Sequence, residues 1–209
     1  MIVRRITNAL VACLLLIGVA PLTAQAQQAE VNQSAPDFTL TAADGETHSL
    51  SDFEGKYVVL EWLNYGCPFV QKHYQSGNMQ QMQKDYREKG VVWLSIVSSA
   101  EGEQGHYPPQ EMMEQKKKHD SEMTAILMDT SGEVGKMYGA QVTPHMYVIN
   151  PEGQLVYKGG IDDKPTTDTA DIEGATNYVQ MALDQAMSGE EVAVQTARPY
   201  GCSVKYAAK

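Results

Sequence analysis

Hydrophobic and polar positions along the 209-residue chain fall into short apolar runs separated by amphipathic or polar segments. Lys56 to Leu63 and Val91 to Val97 are nearly unbroken apolar stretches, rich in β-branched and aromatic residues. That is the pattern of strands covered on both faces. Between them, Pro68 to Tyr74 predicts a short helix. Ser76 or Asn78 then caps a longer helix through Lys89, closed by Gly90. A strand–helix–strand unit with a parallel pair follows. Upstream, Ala35 to Leu40 reads as a short strand turning at Asp44-Gly45 into Thr47 to Leu50, and Ser51 to Lys56 as a single helical turn. Gln27 to Ser34 reads as a disordered leader.

Downstream, Glu101 to Gln110 is polar and holds two glycines and two prolines, a surface loop. Glu111 to His119 is helical, with Lys116, Lys117 and Lys118 on a solvated face. Ala125 to Met128 is a third strand and Ser131 to Tyr138 a short helix. Val142-Thr143-Pro144 leads into a hairpin of His145 to Ile149 and Leu155 to Tyr157, turned at Asn150 to Gly153. Thr176 to Met187 places Tyr178, Val179, Ala182, Leu183 and Ala186 on one side of a final helix. The order suits an α/β fold, a mixed central sheet with helices on both faces, followed by a tail over 189–209.

Residues 1–26 read as a secretory signal. Arg4 and Arg5 precede the apolar run Val11 to Ala20 and the small-residue site Ala24-Gln25-Ala26. The run is short for a stable membrane span. Cleavage near Ala26 removes two of the 16 basic residues, leaving 14 against 26 acidic ones, a net charge of −12. Such an acidic protein makes a poor partner for nucleic acid or anionic membrane, and no glycine-rich phosphate loop appears. Cleavage also removes Cys13. A periplasmic or secreted protein would then keep Cys67 and Cys202, in a compartment that permits disulfides.

The chemistry concentrates in Asn64-Tyr65-Gly66-Cys67-Pro68-Phe69-Val70, where the first long strand gives way to a helix. Gly66 permits a tight turn, and Pro68 suits the first helical position, where a missing N–H costs nothing. The Cys67 sulfur then sits over unpaired N–H groups at a helix N-terminus. That setting lowers a thiol pKa and raises its reactivity, and we expect the sulfur within reach of solvent. Lys72 and His73 read as surface or helix-packing residues one to two turns further on. Met79, Met82, Met112, Met113 and Met123 read as core fillers.

With these pieces in order, the chain resembles the thioredoxin-like fold, in the branch that groups alkyl hydroperoxide reductase/thiol-specific antioxidant proteins with exported thiol–disulfide oxidoreductases. The matching pieces are Ala35-Pro36-Asp37-Phe38, Phe53-Glu54-Gly55-Lys56, Cys67-Pro68-Phe69-Val70 and Val142-Thr143-Pro144, within a domain spanning 27–188. The resemblance implies a cis bond at Thr143-Pro144 beside Cys67, where preceding backbone receives a disulfide substrate as an added strand. His145 follows directly, either as a packed histidine or facing Cys67, where it would lower the thiol pKa further. The resemblance also implies a thiol oxidoreductase, antioxidant in family label, that acts on peroxide or disulfide substrates. Such an enzyme needs no cofactor and is reset by a thioredoxin-like or small-thiol reductant, with a homodimer open to it.

Two departures stand out. The branch's reductases carry Cys-Pro-x-Cys, but the second position is Val70. Its peroxide-reducing members carry Pro-x-x-x-Thr-x-x-Cys, where this chain has Leu60 and Asn64; the Asn64 amide is the substitute donor. The mature chain holds only Arg87 and Arg198 to supply a guanidinium. Cys202 is the candidate resolving partner. In such a fold the last helix carries the chain about 18 Å from the active-site end. The stretch from Ser188 to Cys202 reaches roughly 45–50 Å when extended, enough to return. Two rival readings remain: a copper or zinc module built on Cys67 and His145, with Cys202 as an optional third ligand, and a scaffold with a permanent Cys67–Cys202 bridge.

Overall fold

A computed structural model describes residues 28–208 of the chain; the signal segment read at 1–26 lies outside them. Nine strands and five α-helices are formed among the described residues. β1 (Thr39–Thr41) and β2 (Thr47–Ser49) form a small hairpin, followed by a 3-10 turn at Leu50–Phe53. β3 (Val58–Trp62), α1 (Pro68–Gln75), α2 (Asn78–Glu88) and β4 (Val92–Val97) make the expected crossover, with β3 and β4 parallel. α3 (Pro109–Lys118), β5 (Ala125–Met128) and α4 (Glu133–Tyr138) follow. Then come β6 (Val142–Thr143), the hairpin of β7 (His145–Ile149) and β8 (Leu155–Gly159), α5 (Tyr178–Met187) and β9 (Cys202–Ser203) in the tail. The central sheet runs β5-β4-β3-β7-β8, with β7 antiparallel to β3. It is the thioredoxin-like arrangement.

Because β3 is central, its alternating side chains feed two cores. Val59 and Leu63 enter the layer shared with α1, α2 and α5. Val58, Leu60 and Trp62 enter the layer under α4. Trp62 is wholly buried, its ring against Tyr138 and Tyr147 and its indole N–H donating to Ser98 Oγ at 3.0 Å. Burial of a side chain this size stabilises by about 2–3 kcal/mol. Glu61 also points into the first core, fully buried, and accepts from Tyr74, Gln83, Trp93 and Ser95 at 2.9–3.1 Å. Burial raises its pKa, opposed by those donors. The network ties both crossover helices to the two central strands.

Three sequence expectations need correction. Residues 28–34 are docked: Ala29 is buried, its N–H donates to Met137 O, and Asn32 N–H donates to Leu155 O at 2.8 Å. The edge of β8 supplies partners that composition could not reveal. The cap before α2 is Gly77, with φ +77°, because the chain reverses there in a conformation that suits glycine. Lys116 is not simply solvated: its Nζ donates to Met123 O at 3.1 Å.

Candidate active site

Cys67 follows β3 through a tight turn. Its N–H donates to Asn64 O at 3.0 Å, and Asn64 Oδ1 accepts from Gly66 N–H at 2.8 Å. Asn64 Nδ2 donates to Gln104 O at 3.3 Å, fastening the 101–107 loop over the turn. The residue read as a substitute donor for peroxide therefore braces the backbone, because a short amide at this bend bonds its neighbours first. Cys67 is the N-cap of α1 with Pro68 at the first helical position, and its carbonyl accepts from Val70 and Gln71 N–H. The Thr143-Pro144 bond is cis, and Cys67 Sγ donates to Thr143 O at 3.1 Å.

The tail closes the site. β9 pairs antiparallel with β6, setting Thr143 opposite Cys202 and Val142 opposite Ser203. The Cys67 and Cys202 sulfurs lie 2.7 Å apart, both free thiols, and Cys202 N–H donates to Cys67 Sγ at 3.4 Å. Cys67 is consequently 0% exposed while Cys202 is half-buried. The expectation of a solvent-reachable Cys67 thus fails for this state. The helix N-terminus is open in itself, but β9 lies across it. Burial, then the hydrogen bond and charge of Cys67, push the Cys202 thiol up to about 12, so it keeps its proton at neutral pH.

Beside the sulfurs sits a polar cluster that sequence reading missed. Lys72 and His73 are buried, not on the surface. Lys72 Nζ lies 3.4 Å from Asp162 Oδ2 and donates to Lys164 O at 2.8 Å; His73 Nε2 lies 3.8 Å from the same carboxylate. Asp162 is the compensating charge that makes burial of a lysine tolerable. Tyr200 of the tail donates its hydroxyl to Asp162 Oδ1, meets His73 Nε2 at 3.4 Å and sets its ring edge on Phe69. Burial pulls His73 down to about 4 despite Asp162, so it is neutral at pH 7.

His145 does not join Cys67. It alternates with Met146 on β7, so its ring falls on the Trp62 side of the sheet, against Tyr147 at 4.7 Å between centroids. Burial lowers its pKa to about 4, and it supplies no positive charge to the sulfurs. The Cys67–His145 metal reading loses its geometry. Among the described residues no three His, Cys, Asp or Glu converge as a metal site. Arg87 pairs with Glu122, and Arg198 is exposed on the tail.

A buried strand ending in a cysteine-capped helix, with a cis proline against the sulfur, defines a thioredoxin-like thiol oxidoreductase. Residues 31–158, more than half of the chain, match the AhpC/TSA family, and the chain belongs to that family. It is 25% identical over 130 residues to thiol-disulfide oxidoreductase ResA of Bacillus thuringiensis, covering 62% of this chain and 69% of that protein. Thioredoxin-like protein YneN of Bacillus subtilis is 28% identical over 145 residues, 68% of this chain and 79% of that one. Among solved structures, an uncharacterized conserved protein from Geobacillus kaustophilus superposes with a TM-score of 0.76. It shares 27% identity and covers 86% of this chain and 94% of its own. No helix among the described residues is long and apolar enough to cross a membrane.

Proposed function

We propose that the protein is a thiol–disulfide oxidoreductase in which Cys67 attacks the substrate and Cys202 resolves the intermediate. The observation that carries this reading is the 2.7 Å separation of the two sulfurs beside the cis Thr143-Pro144 bond. The Cys67 thiolate attacks one sulfur of a substrate disulfide; the substrate S–S bond breaks and its other sulfur leaves with the electron pair. The charge on Cys67 is then gone, which removes one of the causes that hold the Cys202 proton. Cys202 gives its proton to the substrate thiolate already released, attacks Cys67 Sγ and expels the second substrate thiolate. The protein ends as a Cys67–Cys202 disulfide, two electrons having passed to the substrate. An external thiol reductant restores the dithiol, and no cofactor takes part.

Disulfides fit this site better than peroxides. Asn64 replaces the threonine that resembles a peroxide guide, its amide already bonds Gln104, and neither arginine of the described residues reaches Cys67. Export through the segment at 1–26 places the reaction in a disulfide-permissive compartment, where the antioxidant label of the family also applies.

Thiol trapping tests the roles. Reduced Cys202→Ser protein given a small disulfide should accumulate a mixed disulfide on Cys67, and wild type should pass to the internal disulfide. Cys67→Ser protein that turns over at the wild-type rate sinks the reading. An internal disulfide with a potential below about −300 mV would mark a permanent bridge instead.

A further inference from the structure

The tail occupies the position beside Thr143 as a strand with distinct side-chain seats. Three features fix it there. Cys202 pairs with Thr143, Val204 N–H donates to Gln141 O at 2.9 Å, and Ala100 N–H donates to Lys205 O at 2.7 Å. Two positions before Cys202, Tyr200 fills a slot between Phe69, Lys72, His73 and Asp162. Its hydroxyl reaches a buried carboxylate, and the Lys72 ammonium lies 5.8 Å from its ring centroid. One position before Cys202, Gly201 adopts φ +142°, and a Cβ there would run into the Thr143 carbonyl oxygen. The seat therefore reads three consecutive residues: an aromatic hydroxyl, a glycine and a cysteine.

The slot's polar groups are organised independently of the tail. Lys72 is held by Lys164 O and Asp162, His73 Nδ1 meets Asn78 Nδ2 at 2.9 Å, and Asp162 Oδ1 also accepts from Lys164 N–H. A preorganised charged acceptor beside an aromatic wall discriminates between side chains, because a ligand lacking the hydroxyl leaves the carboxylate short of a donor. Cys67 has no exposure while the tail is seated, so a macromolecular substrate must take the tail's place to reach it.

We propose that the seat of the tail selects the substrate received beside Thr143: a disulfide-bonded polypeptide with tyrosine two residues before the reacting cysteine and glycine just before it. This rests on the oxidoreductase reading above and names its substrate class. The polypeptide enters oxidised, as the strand paired with Val142–Thr143; the Cys67 thiolate attacks its cysteine sulfur, the substrate S–S bond breaks, the other sulfur leaves as a thiolate, and the mixed disulfide with Cys67 remains. Return of the tail then delivers Cys202 and expels the reduced polypeptide from the groove. Tethering keeps the tail at high effective concentration, so the external strand binds in competition with it.

The test places the variation in the substrate, so protein folding does not enter. A nine-residue peptide, Arg-Pro-Tyr-Gly-Cys-Ser-Val-Lys-Tyr, is prepared with its cysteine joined to 5-thio-2-nitrobenzoate. Reduced protein attacks the peptide sulfur; the coloured thiolate leaves with the electron pair and reports the rate. The parent peptide should react at least tenfold faster than peptides with alanine for the first tyrosine or for the glycine, about 1.4 kcal/mol. Protein carrying Tyr200→Ala, whose tail is less firmly seated, should react severalfold faster with the parent peptide. Equal rates for the three peptides overturn the proposal, and so does an unchanged rate in Tyr200→Ala protein. In either case normal reduction of a small disulfide leaves the oxidoreductase reading standing. Failure with every disulfide overturns both.

Discussion

Closing the Cys67–Cys202 bond should raise the melting temperature of the reduced protein by about 10–20 °C. The two sulfurs are separated by 135 positions along the chain. Loop-closure entropy for a cross-link of that span removes roughly 5 kcal/mol of freedom from the unfolded ensemble. The folded state contributes little to the difference, because the sulfurs already lie 2.7 Å apart and β9 is already paired with β6. For a domain of this size, each kcal/mol moves the midpoint by about 2–4 °C. The assay is thermal unfolding by circular dichroism on reduced and diamide-oxidised samples, each also run as Cys202→Ser. Wild type should show the gap and the variant none. A gap under about 2 °C in wild type, with both thiols lost to oxidation, would mean that they had not joined each other, and the resolving role of Cys202 would fall.

Two further outcomes follow from the same geometry. Tyr206 donates its hydroxyl to Ala140 O at 2.7 Å and holds the tail beyond Cys202. Losing that bond in Tyr206→Phe costs about 1 kcal/mol. Labelling of Cys67 by a bulky thiol reagent, in a Cys202→Ser background, should therefore speed up about fivefold; no change would show that the tail is not the gate. On acidification, the unfolded chain binds protons at His73 and His145 below about pH 6.5, while both stay neutral in the fold until about 4. Stability is present above 6.5 and is lost as pH falls toward 4, by up to about 3 kcal/mol for each histidine. Urea midpoints across that range should fall, and less steeply in His145→Gln; parallel slopes would contradict the burial argument.

Much of the fold was legible because local rules wrote it. The apolar run ending at Leu63, the Gly66 turn and Pro68 at the first helical position set Cys67 on the cap of α1, and the structure has it there. The cis bond before the β7–β8 hairpin came from the family resemblance, not from the residues themselves. Adjacency to Pro144 leaves His145 two readings, packed or facing Cys67, and the packed one holds. Alternation along β7 sends it to the other face. Lys72 and His73 read equally as surface or helix-packing residues, because a short helix does not say which of its faces is covered. Their partner Asp162 stands 90 positions away from Lys72, beyond any helical spacing.

By itself, the sequence determined which segments are strand or helix and which cysteine caps a helix, since periodicity and backbone preference act over a few residues. Only the tertiary structure decided that the tail returns to Thr143, that Cys202 meets Cys67, and that Tyr200 finds Asp162. Those contacts join residues far apart along the chain. They exist only once the sheet order has brought β6, α1 and the end of β8 to one end of the sheet, where a half-buried strand finds unpaired backbone to complete.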